Sequence, residues 1–167
     1  MAVRRRLQQF FAAIRARLSP GDRALVARLL SPGEQRLFAR MPRFDQRHCL
    51  DVCRTLACAG YDDPLLLRAA LIHDCGKVGD DGHTIPLLYY GLFVVSKKLA
   101  PVLYAWAARD GRGPLWPFAV HAAHEERAAL LAAAAGCPPE LVALLRDYAA
   151  RRMIGPAALL YWADEQN

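Results

Sequence analysis

The chain has 167 residues, of which 54% are hydrophobic, and a formal charge of +6. That length gives one domain with a core of its own, so neither a disulfide nor a structural metal is needed for it to fold. Ala and Leu are abundant and β-branched runs are nearly absent, which disfavours a sheet. The five cysteines include no C-x-x-C pair, which argues against a disulfide scaffold and a thiolate zinc site.

The first predicted helix runs from Val3 to Leu18, where Val3, Leu7, Phe10, Phe11, Ile14 and Leu18 recur at helical spacing. Ser19-Pro20-Gly21 breaks it, and a short helix follows to Leu30. Ser31-Pro32-Gly33-Glu34 supplies an N-cap, a proline at N1 and an acid at N3 for a helix that stops before Pro42. The next helix spans Phe44 to Ala59 and ends at Gly60, and Asp63-Pro64 opens another that runs to Asp74. Gly76, Gly79 and Gly82 mark a loop. A long apolar helical region bent at Pro101 is expected from Ile85 to Ala108. Three more helices are expected after the turn at Gly111–Pro117: Phe118–Ala135, one opened by Pro138-Pro139-Glu140, and one opened by Gly155-Pro156. The whole reads as an all-α array of roughly seven to nine helices, with residues 1–42 as a basic helical extension packed on a core domain of residues 43–167.

Charge is unevenly placed. Residues 1–47 carry eleven arginines against three acids, and the remaining residues carry eleven basic side chains against thirteen acids. The basic character therefore belongs to the N-terminal segment. It suits a solvated helix face and, beyond that, a weak contact of residues 1–20 with an anionic membrane or nucleic acid. No apolar h-region follows the arginines, so no secretory signal is expected and a cytoplasmic location with reduced thiols is. The longest apolar stretch, Ile85 to Val95, is too short to span a bilayer and reads as a buried or groove-lining helix.

Several ionisable residues fall on apolar stripes. His48 lies four after Phe44, His73 four after Ala69, Asp74 seven after Leu67, His124 four after Val120 and Asp164 four after Leu160. A single inward histidine is usually a hydrogen-bonded core residue, but an inward carboxylate without a partner is costly. Three such histidines and two such aspartates on four separate helices are most economically explained by a shared cation. Mixed imidazole and carboxylate donors suit Mn, Fe, Co, Ni or Zn, with Mg as a further choice. His73 and Asp74 are consecutive, and successive helical residues point about 100° apart, so both reach one ion only where a helix is ending. Lys77 follows, placed to meet a phosphate as a point charge.

The order His48, then Ala70-Leu71-Ile72-His73-Asp74-Cys75-Gly76-Lys77, then His124-Glu125-Glu126-Arg127-Ala128, then Ala163-Asp164-Glu165 resembles the HD-domain metal-dependent phosphohydrolase superfamily, and within it the small bacterial HDIG-type branch. The resemblance covers roughly residues 45–167. It implies an HD-like helical array, a divalent metal held by His48, His73, Asp74 and Asp164, and Lys77 and His124 facing the substrate phosphate or a second metal. The implied reaction is hydrolysis of a phosphomonoester or phosphodiester, usually of a nucleotide, by metal-activated water. Asp74 is then either a ligand alone or also the group that orients or deprotonates that water. The chain departs from two-metal members in carrying Arg146-Asp147-Tyr148 where a further histidine is common. His121 stands as its replacement, as a general acid, or as a packing residue. Alternatives are a catalytically inactive domain binding a nucleotide as a regulatory module, a di-iron oxygenase, and an adaptor built around the basic N-terminal helix.

Overall fold

The computed structural model describes residues 17–79 and 81–167; the expected helix over residues 3–18 falls almost wholly outside them. Nine α-helices occur among the described residues: α1 Pro20–Leu29, α2 Pro32–Arg40, α3 Arg43–Cys58, α4 Pro64–Ile72, α5 Leu87–Leu99, α6 Pro101–Asp110, α7 Trp116–Ala134, α8 Pro139–Ala149 and α9 Gly155–Gln166. The only pairing outside helices there is an isolated bridge between Val78 and Thr84. The fold is all-α.

The helix starts follow their sequence signals. Ser19 with Asp22, and Ser31 with Glu34, form reciprocal capping boxes at α1 and α2. Both acids also work at longer range. Asp22 is buried and receives the guanidinium groups of Arg47 and Arg54 on α3, and Glu34 is buried against Arg68 on α4 at 2.5 Å. Helices α1 and α2 are thereby tied to α3 and α4, and their Val26, Leu30, Leu37 and Phe38 join one continuous core with Leu50, Leu71, Leu145 and Leu160.

Two expectations need correction. The apolar region after Ile85 is not one bent helix. Ala100 leaves helical geometry altogether (φ −143°, ψ 59°), because the residue before a proline is pushed out of the α region, and α5 and α6 form a hairpin. Nor is that region uniformly buried. Phe93 is buried, but Leu88, Leu92, Val94 and Val95 are exposed. The hairpin is held by an aromatic cluster apart from the main core: Phe93 meets Phe118 at 5.0 Å and Tyr104 at 6.4 Å between ring centres.

Candidate metal centre

The α4 helix ends at Ile72, two residues before the expected Asp74. His73 keeps helical angles (φ −57°, ψ −28°), while Asp74 turns into the bridge region (φ −94°, ψ 1°). This change of course lets consecutive side chains converge. A 3-10 turn, Cys75–Lys77, then packs against α7. Arg127 of α7 donates to the carbonyls of Gly76 (3.1 Å) and Val78 (2.9 Å), clamping the turn from outside.

His48 from α3, His73 and Asp74 from the end of α4, His124 from α7 and Asp164 from α9 are thereby brought together. His48 Nε2 lies 2.8 Å from Asp164 Oδ1 and 3.8 Å from Asp74 Oδ2. His124 Nε2 lies 3.5 Å from Asp74 Oδ1. The nitrogen and oxygen donors of His48, His73 and Asp164 all fall within 4.8 Å of one another.

His73 is the most informative member. Its Nδ1 lies 2.9 Å from the carbonyl oxygen of Ala70, which can only accept, so Nδ1 carries a hydrogen and Nε2 is the nitrogen turned to the cluster. That Nε2 is buried and has no hydrogen-bond partner among the described residues. The nearest carboxylate oxygens, Asp164 Oδ1 at 3.6 Å and Asp74 Oδ1 at 3.7 Å, stand beyond hydrogen-bonding distance. Burial alone would disfavour an imidazolium here, yet the Asp74 carboxylate reverses this and lifts the basicity of His73 well above the ordinary range. The space beside Nε2 calls for positive charge, and a divalent cation shared with the two aspartates meets that need. Two imidazoles and two carboxylates fit such an ion. Cys49 Sγ approaches the same ring at 3.8 Å, but from the committed Nδ1 side, and burial pushes its thiol pKa up.

The remaining expected residues are placed as follows. Lys77 does not stand free. Its Nζ is 2.5 Å from Asp74 Oδ2 and 3.6 Å from Asp45 Oδ1. Burial opposes the charge on Lys77, and the two carboxylates override it. In return, burial would raise Asp74, but Lys77 and then His73 hold it well below the usual carboxylate range. His124 donates from Nδ1 to the His121 carbonyl, and burial followed by Lys77 lowers its pKa to about 4. His121 stacks on Phe93 with ring centres 4.0 Å apart, and its Nδ1 lies 2.7 Å from the Tyr104 hydroxyl. Burial and then His124 push its pKa down to about 2, so the ring is neutral. Asp147 pairs with Arg152 at 2.8 Å on the surface, away from the cluster.

Four further residues, to which the sequence assigns no role, contribute. Tyr148 is buried and donates its hydroxyl to Asp164 Oδ2 at 2.7 Å. Asp45 is buried beside Lys77 and accepts from Tyr90 at 3.0 Å. Burial is the main cause that raises Asp45 to about 6. Glu125 lies 4.0 Å from His124 Nε2 and pairs with Arg151 at 2.7 Å. Arg151 takes a left-handed backbone (φ 53°) and lays its guanidinium over the Tyr148 ring at 5.5 Å. Asp45 was the one with a signal, since it lies three before His48 on the same face of α3.

Compared with protein-family models, curated proteins and solved structures, the chain matches none.

Proposed function

We propose that the chain is an HD-superfamily metal-dependent phosphohydrolase, cleaving a phosphomonoester or phosphodiester of a small molecule such as a nucleotide. The observation that carries the reading is the buried, unpartnered Nε2 of His73 facing Asp74 and Asp164. His48, His73, Asp74 and Asp164 would hold the ion. When bound, a divalent cation supplies Lewis acidity, lowering the pKa of coordinated water and offsetting phosphoryl charge.

The chain's own residues would divide the remaining work. Hydrolysis forms a bond from water oxygen to phosphorus and breaks the ester P–O bond, and the leaving oxygen takes up a proton. Asp74 is kept ionised by Lys77, which makes it a weak base, so its role is to orient the water. Lys77 acts through Asp74 and not as a free phosphate clamp. Neutral His124 presents Nε2 as a hydrogen-bond acceptor at the ion site. A Tyr104 hydroxyl donating to Nδ1 would leave the His121 proton on Nε2, where the ring would serve as a neutral donor to a substrate oxygen, since its surroundings disfavour an imidazolium acid. The free thiols of Cys49, Cys53 and Cys75, all buried, suit a reducing cytoplasm.

The test is metal analysis of the purified protein and of Asp74→Ala, with both assayed with Mn²⁺ on aryl phosphomonoesters and phosphodiesters. The expected result is about one ion per chain in the wild type and turnover that the variant loses. Metal without turnover on any ester would favour a regulatory nucleotide-binding domain. Metal-free wild-type protein that stays inactive with added Mn²⁺ would overturn the reading.

A further inference from the structure

The hairpin of α5 and α6 presents two chemically different sides. Tyr89, Tyr90, Phe93 and Tyr104 point to the body: Tyr90 reaches Asp45, Phe93 stacks on His121 and Tyr104 bonds His121. On α5 the other side carries Leu88, Leu92, Val95 and Leu99, spaced 4, 3 and 4 residues apart and so aligned on one face. The stripe continues round the corner with Val102, Leu103 and Trp106 of α6. These seven side chains are between 46% and 82% exposed. Scattered exposed leucines are ordinary, but an aligned stripe across two packed helices forms a continuous apolar face, and such faces mark binding sites.

We infer that this face is a docking surface for an anionic lipid membrane, lying flat in the headgroup region. Charge selects that occupant. Between Ile85 and Val120 the charged residues are Lys97, Lys98, Arg109 and Arg112 against Asp110 alone, in a chain whose remaining residues after position 47 are net acidic. Lys97 turns to the body over the Tyr104 ring, but Lys98 flanks the stripe of its helix and Arg109, seven after Val102, falls beside that of the next, and an apolar stripe with such basic flanks matches a hydrocarbon boundary beneath negative headgroups. Lys98 is exposed one residue before Leu99 at the hairpin corner, where its ammonium stays in the headgroup layer while its stem follows the leucine inward. Trp106 lies on the same face, and an indole ring favours that boundary. The helices span 13 and 10 residues, too short to cross, and no described helix is long and apolar enough to do so. The inference stands independently of the hydrolase reading.

The test uses the full chain with vesicles of phosphatidylcholine alone and of phosphatidylcholine and phosphatidylglycerol in equal parts. The protein is expected to float with the anionic vesicles and not with the neutral ones, with a blue shift of tryptophan emission that Trp106→Phe removes. Leu92→Glu combined with Val95→Glu abolishes flotation with helicity and melting temperature unchanged, because both side chains are exposed. Lys98→Gln weakens binding roughly five-fold. Absence of flotation with either vesicle overturns the inference. Unchanged flotation of the double variant does so too, since binding would then run through the basic residues 1–16. So does a wild-type dimer in sedimentation that the double variant dissociates without any vesicle binding, which would make the face a contact between copies.

Discussion

At the residue scale, the candidate centre depends on groups that fix its donor side chains from behind. Tyr148 is one: its hydroxyl donates to Asp164 Oδ2, leaving Oδ1 toward the histidines. Tyr148→Phe keeps the buried ring and removes that hydrogen bond. Loss of an outer partner of this kind typically weakens metal affinity by about 10- to 100-fold. The expected outcome, read by metal titration, is a loss in that range with unaltered helicity, and an unchanged affinity would show that Asp164 needs no such support. Asp45 gives a second residue-level prediction. Its pKa is about 6 folded against 3.8 for the free side chain, so between these values the folded state binds more protons and stability falls as pH rises. Asp45→Asn removes this penalty. Its stability relative to wild type should improve by about 1 to 2 kcal/mol between about pH 5 and about pH 8 in denaturant titrations. A difference that stays flat across this window would show that Asp45 is already ionised without penalty. The residues legible in sequence were those that interrupt an apolar stripe: His48, His73, Asp74, His124 and Asp164. Tyr148 was hidden because a tyrosine on an inward stripe looks like core. Glu125 and Arg151 were hidden because each looks like a surface charge until the loop after α8 turns back over the Tyr148 ring.

At the element scale, the centre is built on a helix ending. His73 and Asp74 converge because α4 gives way to the 3-10 turn, and that turn sits where it does because Gly76 has no side chain. A Cβ at Gly76 would lie 2.0 Å from the carbonyl oxygen of His124 and 2.7 Å from the backbone nitrogen of Ala128. Neither atom can move without shifting α7, which also carries His121 and His124. Gly76→Ala is therefore expected to destabilise by about 3 kcal/mol or more, at the upper end of overpacking costs. It should also lower metal affinity by pushing Asp74 away from His124. Melting and metal titration on the same variant check both effects, and a stable variant with full affinity would mean that the close approach is easily relieved. The helix starts were readable because capping serines, prolines and acids are local signals. The break between α5 and α6 was only half readable: Pro101 marks the place, but whether a helix bends or stops there depends on what the second half packs against, and α6 finds α7. The exposure of the apolar run of α5 is illegible in sequence for a related reason. Hydropathy alone does not say whether a partner is present to cover it.

At the scale of the whole molecule, the centre joins elements far apart in sequence. Its ligand candidates come from α3, the end of α4 and α9, and His124 adds α7, so an ion bound there would brace helices that otherwise meet mainly through apolar packing. Binding to the folded state alone raises stability by mass action, about 2.7 kcal/mol at one hundred times Kd, or roughly 5 to 10 °C in melting temperature for a chain of this length. The pH dependence of this gain has a definite sign. The folded pKa of His73 is raised, so in the ion-free protein its protonated form contributes stability that is present below the ordinary histidine pKa and is lost as pH rises through the folded value. A cation must displace that proton from Nε2, so binding strengthens as pH rises. The melting-temperature gain from excess Mn²⁺ over a chelator control should therefore grow from about pH 6 to about pH 8 and beyond, while Asp74→Asn shows little gain at any pH. A gain that shrinks with rising pH would mean that the proton and the ion do not compete for Nε2. Equal gains in wild type and Asp74→Asn would place the bound ion elsewhere on the protein.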